Sequence, residues 1–206
     1  MFANKNLDHF YFESLFHVFS HVSGNELIFR EPRNYIFFLE KIKHYLLPVL
    51  DIYAYCLMPN HFHFLVAFKD KVEVFKNLNL ENSNFDDSKT HQFLMKPVSN
   101  LLNSYAKAYN KMYGRRGSLF IDYVKRIRIE DENYLLNTFR YIHQNPVNHG
   151  FVKEIEDWKY SSYSGYLNLE KFSLVNRNFM MTFFDSQKNF IEFHKIEFNS
   201  EFNQTR

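Results

Sequence analysis

The stretch "DIYAYCLMPNHFHFLVAF", residues 51–68, decides the fold. Residues 51–57 alternate as a strand does, and "MPN" is a turn signal. "HFHFLVAF" then reads as a second strand, so the two pair as a hairpin. Side chains alternate across a strand. Phe62, Phe64 and Val66 therefore share one face, and His61, His63 and Leu65 share the other. A strand built only for burial has no use for two adjacent imidazoles. That face either meets water or holds something.

Outward from the hairpin, residues 14–22 alternate as an earlier strand and end at "SGN". Residues 33–46 place Tyr35, Phe38, Leu39, Ile42, Tyr45 and Leu46 at helical spacing, and Pro48 closes them. Residues 70–90 are polar and read as a surface loop. A long helix follows over about 91–113, interrupted at Pro97 and closed by "YGRRG", and a strand over about 118–129. "EDENYLLNTFRYIHQNP" opens with acidic residues, as a helix start does, and runs to Pro146 with a stripe of Leu135, Leu136, Phe139 and Ile142. "DWKYSSYSGYL" reads as a short helical element, and the segment after about 171 is helical in pattern. The order is strand, helix, hairpin, helix, strand, helix. It predicts an α+β fold: a ferredoxin-like antiparallel sheet with helices on one face, plus a C-terminal helical extension. The division expected is 1–169 for the main domain and 170–206 for the extension.

Composition narrows the class. The chain has 206 residues, 46% of them hydrophobic, with 25 Phe and 14 Tyr but five Gly and five Pro. That suits a folded domain rather than a linker. The single cysteine, Cys56, excludes an internal disulfide framework and a cysteine-based zinc site, and its apolar surroundings predict an inert thiol. Neither a signal peptide nor a stretch of about 20 apolar residues is evident, so no membrane partner is expected and the cytoplasm is the expected location. Net charge is only +2. From Tyr105 to Arg128, however, Lys107, Lys111, Arg115, Arg116, Lys125, Arg126 and Arg128 stand against Asp122 alone, among Tyr105, Tyr109, Tyr113 and Tyr123. Basic groups among aromatics suit phosphates and unstacked bases; a solvated helix face followed by an edge strand gives the same pattern.

Three features carry chemistry. His61 and His63 offer two imidazole nitrogens from one strand face, and neutral imidazole is a common metal ligand. Tyr141 and Asn145 lie four apart on one helix, hence on one face. Tyrosine can be a covalent nucleophile, though a helix-surface tyrosine and a helix-end asparagine are the plain alternatives. If strand and helix meet, an ion on His61, His63 and Asn145 would activate a phosphate for attack by Tyr141.

"YCLMPNHFHFLV", "GSLFIDYVKRIRI", "YLLNTFRYIHQNPVNHGFV" and "DWKYSSY" together resemble the single-tyrosine transposases of the HUH endonuclease superfamily, in particular the REP-associated tyrosine transposases and related small insertion-sequence transposases. The resemblance covers about residues 14–165. It implies a ferredoxin-like sheet with the histidine pair on a central strand. It also implies a DNA transposase that nicks single-stranded DNA at or near hairpins with a divalent ion, Mg²⁺ or Mn²⁺, and joins the 5′ phosphate to one tyrosine. Residue by residue, His61 and His63 match the histidine pair, Tyr141 the nucleophile and Asn145 the third ligand. Tyr105 and Tyr109 are second-choice nucleophiles. Where some relatives end their first strand in an Asn-Arg pair, this chain reads "HVFSHVSGN", so His17 and His21 either reach the site or lie on the surface. Monomer and homodimer both stay open. The alternatives are a non-catalytic single-stranded nucleic-acid binder on the same fold, and a water-based metal nuclease with His143 as a conceivable base.

Overall fold

A computed structural model describes residues 8–22, 26–81, 85–120 and 124–196. Four strands form one antiparallel sheet in the order β2-β3-β1-β4: β1 (Leu15–His21), β2 (Leu50–Met58), β3 (His61–Phe68) and β4 (Lys125–Ile129). β1 and β3, the two histidine-bearing strands, are central. The β2–β3 hairpin pairs Met58 with His61 and Leu57 with Phe62, as the "MPN" turn predicts. This is the α+β, ferredoxin-like order expected from the sequence.

Alternation assigns the faces. Phe16 and Val18 of β1 join Phe62, Phe64, Val66 and Phe68 of β3 on one face, all buried. α1 (Pro32–Tyr45) and α3 (Thr90–Tyr113) pack there. Phe38 of α1 lies against Phe62 and Phe64, and Leu101 and Tyr105 of α3 complete the core. Pro32 opens α1 where a missing N–H costs nothing, and the Asn34 carboxamide accepts the N–H groups of Arg30 and Glu31. Gly114, at φ +61°, closes α3 in the left-handed conformation that glycine adopts without penalty.

The other face departs from the expected one-sided arrangement. α4 (Glu132–Asn148) lies across it over β2 and β3. Ala54, Cys56 and Met58 of β2 and Leu65 of β3 point up beneath α4, each fully buried. The small Ala54 and Cys56 side chains allow the helix a close approach. Desolvation raises the Cys56 thiol pKa well above its usual value, as an inert thiol requires.

Other boundaries shift for local reasons. The 70–90 segment holds α2 (Lys71–Asn77), because the Asp70 carboxylate caps it by accepting the Glu73 N–H at 2.9 Å. β4 is shorter than 118–129: Arg115 holds residues 115–118 as a turn through Gly117 and Ser118 carbonyls. Residues 121–123, including Asp122 and Tyr123, lie outside the described residues. α4 runs past Pro146 to Asn148. The proline removes one backbone donor, but residues 141–146 are all buried and packing holds the last turn. After α5 (Tyr163–Leu167) come α6 (Arg177–Met181) and α7 (Gln187–Lys195), with α7 against α4 through buried Phe190 and His194. Residues 197–206 lie outside the described residues. Among the described residues no helix is long and apolar enough to cross a membrane.

Candidate functional site

The strand and the helix meet. His61 and His63 are 3% and 1% exposed. The antiparallel register sets His21 opposite His61 and Phe19 opposite His63, so β1 contributes to the same face. α4 lays Tyr141 and Asn145, one turn apart, over these histidines. The Tyr141 ring stands edge-on to His63 at 5.4 Å between centroids. The Asn145 carboxamide oxygen is 3.1 Å from His61 Nε2.

The hydrogen bonds orient the imidazoles. His61 Nδ1 lies 2.7 Å from Asn60 Oδ1 and donates to it. That leaves Nε2 with its lone pair toward Asn145. Burial lowers the His61 pKa to about 4, and His21 and His149 add to that shift while the Asn145 contact opposes it; the ring is neutral at pH 7. His63 Nδ1 lies 2.9 Å from His17 Nε2. With Nδ1–H donated to His17, His63 also presents Nε2 to the site.

This donor set fits a cation. Two arrangements satisfy the contact between His61 Nε2 and Asn145: an amide N–H turned to the ring, or an ion between two lone pairs. Ligands at right angles on bonds of about 2.1 Å stand about 3 Å apart, the spacing found here. One nitrogen each from His21, His61 and His63 also lies within 4.8 Å of the others. These three histidines form a group able to hold a metal ion. Each buried ligand has a partner for its second nitrogen, as metal-binding histidines characteristically do.

The two second-choice tyrosines are held elsewhere. The Tyr105 hydroxyl donates to the Ile28 carbonyl and the Tyr109 hydroxyl to the Leu27 carbonyl, both on α3 and so across the sheet from the histidines. Burial raises both phenol pKa values. As alternative nucleophiles they are misplaced.

The basic segment does not form one patch. Lys107 and Lys111 are exposed on α3 and Arg116 just beyond it. Lys125 pairs with Phe19 and shares the histidine face. Arg128 is exposed, over the Tyr11 ring. Two expected DNA contacts instead serve the fold. Arg115 forms a two-pronged pair with Glu26, with Nη2–Oε2 at 2.7 Å. Arg126 is buried, bonded to the Asp8 and Val124 carbonyls at 2.6 and 2.9 Å. They were chosen by charge and position in the chain, which do not reveal internal partners.

His143 is equally internal. His194 Nδ1 donates to the Phe190 carbonyl at 2.8 Å, so its Nε2 accepts from His143 Nδ1 at 2.9 Å. His143 Nε2 then accepts from the Ser162 hydroxyl at 2.7 Å. One tautomer of each ring satisfies the chain, which ties α4 to α7 and the start of α5. His143 is therefore a brace and not a base for water. Burial, then the neighbouring ring, holds His143 well below its usual pKa, and burial brings His194 to about 4. Below pH 6.5 the unfolded chain gains protons that the folded one refuses. Stability should therefore fall from pH 6.5 toward 4, by about 1.4 kcal/mol per pH unit for each histidine. Urea melts across this range test it; a flat profile would contradict the neutral pair.

A histidine–hydrophobic–histidine strand faced by a tyrosine and an asparagine from one helix, on a ferredoxin-like sheet, is the arrangement that the resemblance to single-tyrosine HUH proteins implies. Among known proteins the chain is similar to REP-associated tyrosine transposases. The chain is 27% identical over 115 residues to a Haemophilus influenzae (strain ATCC 51907 / DSM 11121 / KW20 / Rd) protein named "Putative REP-associated tyrosine transposase". The match covers 53% of this chain and 57% of that protein, so the chain spans little over half of its relative's length. No family model matches the chain. A solved structure described as a REP-associated tyrosine transposase bound to a REP hairpin superposes with a TM-score of 0.56, covering 84% of this chain and 90% of that one. At 14% identity the likeness is one of fold.

Proposed function

We propose that this chain is a transposase-type enzyme that cleaves and rejoins single-stranded DNA at or near hairpins, through Tyr141. The observation that carries this is the meeting of Tyr141 and Asn145 with His61 and His63 at one buried point. The phenol oxygen of Tyr141 attacks a backbone phosphorus. The bond from phosphorus to the 3′ oxygen breaks, leaving a 5′-phosphotyrosine and a free 3′ hydroxyl. Attack by a 3′ hydroxyl on that link reverses the step and joins strands. His61, His63 and Asn145 would hold a divalent ion, which when bound supplies Lewis-acid polarisation of the phosphate. Asn60 and His17 keep the histidine nitrogens aimed. α4, braced by His143, keeps Tyr141 against His63. Residues 1–169 carry this chemistry, and α7 of the 170–206 extension buttresses α4 through His194. The hairpin bound by the structural neighbour supports hairpin DNA as the substrate class.

Incubation with hairpin-bearing single-stranded DNA and a divalent ion, followed by denaturation, tests the proposal. A metal-dependent covalent protein–DNA adduct is expected. Cleavage without an adduct would favour a water-based nuclease, and binding without cleavage a non-catalytic binder.

DNA contact then falls to Lys107, Lys111, Arg116, Lys125 and Arg128. Lys125→Ala should weaken DNA binding uniformly across sequences and lower the salt slope by about 1. Arg126→Ala should instead destabilise the fold, since it leaves the Asp8 and Val124 carbonyls short of a donor. Salt-dependent binding and thermal melts on both variants check the split. Equal salt slopes would reject it.

A further inference from the structure

We infer that Arg30, laid over the Tyr109 and Tyr113 rings, anchors the phosphate backbone of the single-stranded segment that flanks the hairpin. The inference rests on the function proposed above. It adds a residue from outside the basic 105–128 segment and names the part of the substrate that this residue grips.

Three elements meet at the end of the sheet where β3 begins with His61. The Ile28 and Phe29 N–H groups donate to the Pro59 carbonyl at 2.8 and 3.0 Å, and the Val22 N–H to the Asn60 carbonyl at 3.2 Å. The chain entering α1 is thereby tied to the turn that leads into His61. The last turns of α3 reach the same place. There the Tyr109 hydroxyl donates to the Leu27 carbonyl and the Tyr113 hydroxyl to the Glu31 carboxylate. Arg30 leaves this junction exposed. Its guanidinium carbon lies 4.6 Å from the centre of the Tyr113 ring and 5.4 Å from that of Tyr109.

Its charge is not neutralised inside the fold. Glu26 is taken by Arg115, and Glu31 by Arg33 and Tyr113, so among the described residues no carboxylate pairs with Arg30. The two rings hold the guanidinium by a cation–π contact, and a fork already held loses little side-chain freedom on binding. Such a fork suits two oxygens of one phosphate. Lys111 and Arg116 are exposed at the same end of α3 and add positive potential. The histidines face α4, whereas Arg30 opens onto α1 on the opposite face, and the Asn60 turn is the edge between them. A duplex is stiff over many base pairs, but a single strand can follow such an edge from His61 to Arg30. The flank, and not the hairpin stem, is therefore the part that Arg30 meets.

The test titrates the full chain, with a chelator present, against labelled hairpin DNA with and without a single-stranded flank of about ten nucleotides. Fluorescence anisotropy then reads affinity and salt slope without drawing on a metal or on Tyr141. Arg30→Ala should weaken binding of the flanked DNA about tenfold and lower its salt slope by about 1, with the bare hairpin bound as by wild type. Arg30→Lys keeps the charge but not the fork, so it should restore the salt slope and leave the affinity below wild type. Both variants should melt as wild type does, since the bonds from Tyr109 to Leu27 and from Tyr113 to Glu31 do not involve Arg30. Unchanged affinity of Arg30→Ala for the flanked DNA overturns the inference. So does an equal loss on the bare hairpin, or full recovery of affinity by Arg30→Lys. If any of these occurs while wild type still forms the Tyr141 adduct, the proposed strand cleavage stands without this anchor. If wild type binds neither DNA, the proposed function fails as well.

Discussion

Tyr141→Phe should abolish covalent attachment to DNA and lower strand cleavage by about 10⁴-fold or more, with the fold and metal affinity unchanged. The substitution removes one oxygen. The ring that packs edge-on against His63 and His17 is retained, so α4 has no reason to move. Without that oxygen the site loses the phenol that faces His63. Tyr105 and Tyr109 are held by backbone carbonyls on α3, across the sheet. Rate measurements on single-turnover cleavage, alongside a thermal melt and a metal titration, separate chemistry from folding. Retention of the adduct in Tyr141→Phe would reassign the nucleophile.

The second large effect is on stability. His143→Ala should cost about 3–5 kcal/mol, or about 10 °C in Tm. His143 is fully buried and receives or donates a hydrogen bond at each nitrogen. Its removal opens a cavity and strands His194 Nε2, while the Ser162 hydroxyl keeps only its contacts to the Tyr55 backbone. Burial of Phe139, Tyr163, Tyr166 and Phe190 around the same ring leaves little room for water to repair the loss. Thermal unfolding monitored by circular dichroism gives the number. A shift of only 1–2 °C would mean that the relay is dispensable.

Much of this architecture was legible because the period of the hydrophobic pattern is a direct consequence of backbone geometry. Phe62, Phe64 and Val66 alternate with His61 and His63, so β3 and its two faces follow from the residues alone. Tyr141 and Asn145 follow in the same way from the helical repeat. What periodicity does not contain is which strand lies next to which. Nothing in "HVFSHVSGN" says that β1 is the neighbour of β3, so His17 and His21 stood undecided between site and surface. Only register puts His21 opposite His61. The same gap placed every helix on one face, because Ala54 and Cys56 do not advertise that a helix lies on them. Short-range cues were lost in polar composition, as with the Asp70 cap that starts α2. Charge misled where a partner was remote in sequence: Arg115 meets Glu26 and Arg126 meets Asp8. Asn60 belonged to a turn signal, and its second task, fixing the His61 tautomer, became visible only with the 2.7 Å contact.

The proposed reaction turns on one oxygen atom of one side chain. The direct measurement is to trap the wild-type complex with hairpin-bearing single-stranded DNA, digest both protein and DNA, and locate the retained nucleotide by mass spectrometry. A phosphonucleotide is expected on the peptide containing Tyr141, in a phosphate–tyrosine bond to the DNA 5′ side. A nucleotide on Tyr105, Tyr109 or any other residue, or a cleaved strand with no modified peptide, would contradict it.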